Sequence, residues 1–467
     1  MGSTRPRKFD SKSREATGEA PPPPPTRHLH SSLLHFITFH ITPDHHQSLT
    51  RHDTEIMTPI PPSTDSPTSL LLLPSPPSPP NRQALNAAYR EPLSSVIPRI
   101  PPSSQLVVAV TAPFLPLRWP SLQSLLAGLY SLIATVQATT LPSSDVHVSV
   151  VLVDHVHGRT YPPDRGPPPN DTTVLDLGAF ASKPQRWANV FHSSTEAGYD
   201  LLSIFLQTAE RFQTFLQNQL IALPGGLTLT NPPAVDTTVA QSSKAERRYR
   251  SVIVAGTFDH FHAGHKLLVQ ASALLMALPG VNSSGSQRAS LIIGISGNAL
   301  LKDKKFASEL EAWPVRAQSV LDFLSTILLS PLSPENQETL GDDAEIRAVF
   351  CDGRLLVRCV NIEDVYGPTI TEEDIDAIVV SAETRAGGAA VNKKRAEQGW
   401  RELELYEIDV LSPYTEGEED GEANASDPSD FSAKISSTDI RRLQAEARAK
   451  ADGQKDGKTL DHNGRKL

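Results

Sequence analysis

Residues 251–269, SVIVAGTFDHFHAGHKLLV, constrain this chain more than any other stretch. Val252-Ile253-Val254-Ala255 is a short apolar, β-branched run that reads as a buried strand. Gly256 breaks the run, and Thr257-Phe258-Asp259 make a tight loop. The loop delivers His262-Ala263-Gly264-His265 to the start of a helix whose apolar positions are Leu267, Leu268, Ala271, Leu274 and Leu275. A strand, a glycine turn and a helix start together suit a phosphate. The first N–H groups of a helix have no partner within it, and the helix dipole favours negative charge there. Imidazoles three residues apart share one face of that turn, where they can donate to phosphoryl oxygens. An isolated H-x-G-H arises by chance, as neighbouring His45-His46 shows for histidines in general. The GTFD directly before it, at a strand-to-helix junction, is what gives the motif weight.

The 467 residues leave room for two or three domains. The 40 prolines crowd into the first hundred or so positions, so residues 1–103, rich in Pro, Ser and His, are expected to be disordered. A net charge of −10 argues against a general nucleic-acid or membrane-surface role. An anionic substrate would need a local basic pocket. Cys351 and Cys359 are the only cysteines and lie near no other ligand cluster, so no metal site and a reducing, cytoplasmic setting are expected. The longest apolar run near the start, residues 32–41, is too short to span a membrane and is interrupted by two histidines. Met57 is a second candidate start of translation beside Met1.

From residue 104 the texture changes. Residues 106–111 (LVVAVT), 146–153 and 172–177 read as strands, 120–137 and 197–223 as helices, which predicts an α/β domain of unknown role over 104–230. Residues 231–246 are polar and read as a linker. Over 247–450 strands (291–295, 346–350, 377–380, 403–410) alternate with helices (317–329, 391–398), which predicts a Rossmann-like parallel sheet. Residues 451–467 are expected to be a disordered tail. Ligands of such sheets sit outside the carboxyl ends of the strands, and every motif here follows a predicted strand.

A second phosphate loop opens the last helix: Ser436-Ser437-Thr438, with Arg441 one turn in. Hydroxyls at a helix start either cap it or bind phosphate there. Lys302, Lys304 and Lys305 follow the second strand of this region, and residues 380–395 (VSAETRAGGAAVNKKR) read as a glycine-broken basic loop carrying Arg385 and Arg395. Neither a GxGxxG fingerprint nor a GxxxxGK[ST] loop is present.

Together GTFDHFHAGH (256–265), GISGNALLKDKKF (294–306), VYGPT (365–369), VVSAETRAGGAAVNKKR (379–395) and KISSTDIR (434–441) closely resemble the eukaryotic type of pantetheine-phosphate adenylyltransferase, a fungal-like form with an amino-terminal extension. The family belongs to the HxGH nucleotidyltransferases. The ETxxGGxxxNKKR segment separates it from the choline-phosphate type of cytidylyltransferase. The resemblance covers roughly 249–450. It implies an α/β, Rossmann-like nucleotidyltransferase domain behind a smaller α/β domain. It also implies transfer of AMP from ATP, carried with Mg2+, to 4′-phosphopantetheine, giving dephospho-CoA and pyrophosphate. It assigns His265, His262, Lys302 and Arg441 to catalysis, and Gly256, His262, His265, Arg395, Ser436, Ser437, Thr438 and Arg441 to the nucleotide. Thr257, Phe258, Lys302 and Arg385 go to the second substrate. No resident metal is expected, and no kinase activity toward the product. Two alternatives stay open: a cytidylyl- or NMN adenylyltransferase of the same superfamily, or a scaffold that gathers other coenzyme A enzymes.

Overall fold

The structure is a computed structural model that describes residues 67–140, 146–161, 172–183, 185–225, 247–280, 288–341, 344–414 and 435–457. All of these belong to one compact unit, Thr64–Leu467. The first half builds a six-stranded, wholly parallel sheet from β1 (Thr68–Leu73), β2 (Gln105–Ala112), β3 (His147–Asp154), β4 (Leu175–Asp176), β5 (Val190–Ser193) and β6 (Leu220–Leu223). Their order is β4-β3-β2-β1-β5-β6. Its helices are α1 (Arg82–Val96), α2 (Trp119–Thr140), α3 (Leu177–Ala181) and α4 (Glu196–Ala209).

The second half contains β7 (Ser251–Gly256), α5 (Ala263–Leu274), β8 (Ala289–Ser296), α6 (Asn298–Leu301) and α7 (Trp313–Ile327). Next come β9 (Gln337–Leu340), β10 (Glu345–Phe350), β11 (Leu355–Ile362), β12 (Ala377–Val380), α8 (Arg385–Glu397), β13 (Glu404–Glu407) and α9 (Ser437–Gly457). The seven strands are ordered β13-β12-β7-β8-β11-β10-β9. The first five of that order are parallel, and β10 runs antiparallel to both β11 and β9. The fold is α/β, with one parallel sheet and one mixed sheet.

Several expectations are corrected. Residues 67–103 are not disordered: β1 lies at the centre of the first sheet, between β2 and β5. Leu70-Leu71-Leu72-Leu73 is buried on both faces, the unbroken apolar run that parallel strands carry. The flanking prolines disguise it. The strand expected over 172–177 shrinks to Leu175–Asp176, and the long helix over 197–223 ends at Ala209, with 220–223 becoming β6. A central strand, β11, was not foreseen; its inclusion with β10 makes the second sheet mixed rather than parallel. Residues 385–397 form α8 rather than a loop, and α9 continues past the expected boundary at 450 to Gly457. Residues 1–66, the linker over 231–246 and the tail over 458–467 lie outside the described residues.

The two sheets share one apolar core that runs from Leu70 through Tyr130 to Val252, Leu267 and Val357. The helix α2 is buried on nearly every face because both halves cover it. On one side α2 meets α5. On another a strap after β13 crosses it: Asp409 N–H donates to Gln123 Oε1 (2.9 Å), Ser412 N–H to Ser131 Oγ (3.2 Å) and Tyr414 N–H to Thr135 Oγ1 (3.0 Å). Arg82 of α1 closes over the Tyr414 ring at 4.2 Å. Both cysteine thiols are pushed up by burial, that of Cys351 to about 11, so neither is reactive at neutral pH. Among the described residues, no helix is long and apolar enough to cross a membrane.

Leu71→Ala removes core methyl groups from the central strand of the first sheet. It should destabilise the protein by about 2–5 kcal/mol in urea unfolding. A change below about 0.5 kcal/mol would place β1 outside the core.

Candidate active site

The carboxyl end of β7 leads through Thr257–Phe261 into α5, and His262 is the N-cap of that helix. Its Nδ1 accepts the N–H of Gly264 at 3.2 Å. A Cβ on Gly264 would stand 3.2 Å from His262 Cε1 and 3.8 Å from the carbonyl of Ile435. Glycine at this position therefore lets the imidazole fold back over the first turn while a second chain segment closes in. With Nδ1 an acceptor, a neutral His262 carries its proton on Nε2, which faces Ser437 Oγ at 3.2 Å. Ser437 in turn donates to the carbonyl of Asp259 at 2.9 Å. The start of α5 and the start of α9 are thus joined by a directed relay of hydrogen bonds.

His265 stacks on His262 with ring centroids 3.8 Å apart and planes 21° from parallel. Phe258 and Phe261 enclose it at 5.3 and 5.7 Å. Burial lowers the His262 pKa to about 3, helped by the charges of Lys266 and His260, and pushes that of His265 well below its ordinary value. Both rings are neutral donors and acceptors at physiological pH. His265 Nδ1 is buried without a partner. An orphan lone pair is cheaper to bury than an orphan N–H, so the proton belongs on Nε2, the nitrogen left for a ligand.

Asp259 holds the surrounding loops together. It has no exposed surface. Its Oδ1 accepts the N–H of Glu311 (2.9 Å), and its Oδ2 is ion-paired with Arg441 of α9. Arg441 Nε reaches the carbonyl of Lys305 at 3.0 Å, and Nη2 reaches Thr438 Oγ1 at 3.2 Å. One buried pair therefore fixes the GTFD loop, the lysine loop after β8 and the start of α9. His260, with φ +46°, adds Nε2 to the Glu309 carbonyl (2.8 Å) and its N–H to Glu311 Oε2 (2.7 Å). Arg316 Nη1 donates to the Thr257 carbonyl at 2.6 Å and fixes the turn from below. Asp259, His260, Glu311 and Arg316 were not singled out from the sequence as site-shaping residues. Only the position of Asp259 inside GTFD hinted at its role.

Gly256, Thr257, His262, His265, Ser436, Ser437 and Thr438 gather at this junction. Ser436 caps α9 by accepting the N–H of Asp439 at 3.4 Å. Lys302, at the C-cap of α6, is exposed on the loop after β8 that Arg441 anchors through Lys305. Three of the expected contact residues are buried and engaged with protein groups, and a fourth is exposed. Arg441 is 2% exposed, and its guanidinium is engaged by Asp259, the Lys305 carbonyl and Thr438. Arg395 has no exposed surface; it donates to the carbonyls of Arg401, Thr369, Glu372 and Glu373 and lies over Trp400. It ties α8 to the loop before β12. Phe258 is wholly buried, with its ring packed under Gly256, so it is a core residue and not a substrate contact. Arg385 is exposed and ion-paired with Glu407, one strand away at the end of β13. Gly387-Gly388 lies inside α8, where a Cβ on Gly388 would meet Leu405 Cδ1 at 2.6 Å; the glycine serves helix–sheet approach, not phosphate.

A family model described as a domain of unknown function (DUF8446) matches residues 57–229, which enclose all six strands of the first sheet. The chain is similar to phosphopantetheine adenylyltransferases. That of Saccharomyces cerevisiae is 33% identical over 203 residues, 44% of this chain and 51% of the yeast protein. That of Pyrobaculum aerophilum is 27% identical over 196 residues, 42% of this chain and 92% of the archaeal one. An uncharacterized protein of Schizosaccharomyces pombe is 36% identical over 188 residues, 40% of this chain and 46% of its own length. The chain thus spans about half the length of the two yeast relatives.

Because both imidazoles are held neutral, the unfolded state takes up protons below about pH 6.5 before the folded state does. Stability should fall as pH drops from about 6.5 towards 4, and the ring protons of His262 should not shift between pH 8 and 5 by NMR. A His262 titration midpoint near 6.5 would contradict the buried, relayed geometry.

Proposed function

We propose that the chain is a pantetheine-phosphate adenylyltransferase, transferring AMP from ATP to 4′-phosphopantetheine with release of pyrophosphate. The observation that carries this reading is the His262–Ser437 contact at 3.2 Å, which brings two helix N-termini to one place. Two helix starts side by side, each with orphan N–H groups and short polar side chains, suit a ligand with several adjacent anions better than a single phosphate. The similarity to phosphopantetheine adenylyltransferases supports 4′-phosphopantetheine as the second substrate.

In this reading a phosphate oxygen of 4′-phosphopantetheine attacks the α-phosphorus of ATP. The bond from that phosphorus to the bridging oxygen of the β-phosphate breaks, and pyrophosphate leaves with the electron pair. The nucleophile is already an anion, so no strong base is needed. Catalysis is alignment plus stabilisation of charge. His265 Nε2–H and the free N–H groups at the start of α5 bind the α-phosphate. Ser436, Ser437, Thr438 and the start of α9 bind the β- and γ-phosphates. Thr257 holds the incoming phosphate, and Lys302, on its anchored loop, bridges the two substrates. Arg441 works through Asp259 and Lys305, keeping these loops in register.

Among the described residues no three His, Cys, Asp or Glu side chains cluster as a metal cage. Mg2+ would arrive on ATP, ligated by phosphate oxygens and water, where it would shield the triphosphate charge. A cytoplasmic enzyme acting on soluble substrates, near other coenzyme A enzymes, completes the proposal.

Purified protein given ATP, Mg2+ and 4′-phosphopantetheine should release pyrophosphate and form dephospho-CoA. Turnover of CTP or nicotinamide mononucleotide in place of these substrates would point to a sister transferase. His265→Ala should lower kcat by about a hundredfold, as loss of one preorganised donor does, with unchanged circular dichroism. Near-normal turnover by that folded variant would falsify the assigned role.

A further inference from the structure

Among the described residues, most of one edge of β3 has no strand partner. Along β3, pairing with β4 is confined to Val153 and Asp154, while β2 pairs with all eight residues. The outward groups of the open stretch are satisfied instead by α5, the helix that carries His262 and His265. Lys266 Nζ donates to the carbonyl of Val148 at 2.8 Å, and Gln270 Nε2 donates to that of Val150 at 2.9 Å. Tyr130 of α2 completes the set, donating to Gln270 Oε1 at 2.7 Å and accepting the N–H of Val150 at 3.4 Å. All three side chains are buried.

The spacing is a physical match of two periods. Residues four apart on a helix are separated by about 6 Å along its axis. Residues two apart on a strand, whose carbonyls share an edge, are separated by about 6.6 Å. Lys266 and Gln270 therefore meet Val148 and Val150 in one register, and sliding α5 by a residue would leave buried groups unpaired. Further along, Trp119 Nε1 donates to the carbonyl of Ala271 (2.8 Å) and Thr173 Oγ1 to that of Ala273 (3.1 Å), two of the last carbonyls of α5. The middle and end of α5 are thus seated on the first sheet and its connections, while its start meets the start of α9.

We propose that Lys266 and Gln270 are positioning residues through which the bare edge of β3 fixes the axial placement of α5, and with it the imidazoles at its start. The amino-terminal sheet is then a built-in jig for the phosphate site. Lys266 is suited to this because it follows His265 directly and lies in a buried, apolar surround that also lowers its pKa to about 8. Among the described residues its ammonium has no carboxylate partner; it donates to the Val148 carbonyl and lies 6.0 Å from the centroid of the Phe323 ring. The catalytic half of this inference rests on the adenylyltransferase reading above.

The test uses the full chain with Gln270→Leu, Lys266→Met, Lys266→Arg and Tyr130→Phe. A misplacement of about 1 Å costs on the order of a hundredfold in rate. Gln270→Leu and Lys266→Met should therefore lower kcat about ten- to a hundredfold while KM for ATP changes less than about threefold. Lys266→Arg, which keeps a long-stemmed donor for Val148, should recover most of kcat. Hydrogen exchange of the unliganded proteins should show faster exchange at Ala263, Gly264, His265, Lys266 and Leu267 in the two disruptive variants, with β7 and β8 unchanged. Should Gln270→Leu fail to fold, Tyr130→Phe carries the test with the same pattern at smaller amplitude. Variants that melt earlier but keep wild-type kcat per folded molecule and wild-type exchange at the start of α5 would overturn the proposal. If the wild type forms no dephospho-CoA, the adenylyltransferase reading fails, and the exchange measurements still decide the positioning role.

Discussion

The ion pair between Asp259 and Arg441 is the constraint on which the site depends. Its partners are 182 residues apart, and neither has meaningful contact with water. Taking a carboxylate and a guanidinium out of water costs several kcal/mol for each ion, and the cost is offset only where geometry and secondary hydrogen bonds are good. Here they are: Glu311 N–H, the Lys305 carbonyl and Thr438 Oγ1 add three further hydrogen bonds to the pair. Such a pair contributes specificity more than stability. It accepts one arrangement of the GTFD loop, the lysine loop and α9, and that arrangement places Ser437 against His262.

Much of the second sheet was legible in the sequence because its signals are local. The run Val252–Ala255, the glycine after it and the helical spacing from Leu267 onward all lie within one strand–turn–helix unit. What escaped is non-local. In β11 Arg358 interrupts an apolar run, and it is tolerable there only because Glu345 of the neighbouring strand and Glu372 neutralise it. Those partners cannot be seen from residues 355–362 alone. The four leucines of β1 were hidden for the opposite reason, since their proline-rich flanks read as a chain with nothing to bury.

The arginines show the same limit within the site. Arg395, Arg441 and Arg385 each sit in a motif that resembles a phosphate loop, and a sequence records only that a guanidinium is present. Whether it faces an anion, four carbonyls or a buried carboxylate depends on what the fold brings beside it. The histidines were easier because the glycine between them carries geometric information: without a Cβ at Gly264, His262 can cap its own helix and still touch a second one.

The open side of β3 has a further consequence for how the chain must be made. Exposed parallel strand edges invite pairing with other molecules, and the first sheet is complete in sequence by Leu223 except for that side. Its cover, α5, is synthesised later and belongs to the other sheet. A nascent chain halted between the two would display a sticky flank, and a gene split at that point would yield two fragments that each lack a wall. Within this chain, α5 of the second half therefore also serves to cover a flank of the first sheet.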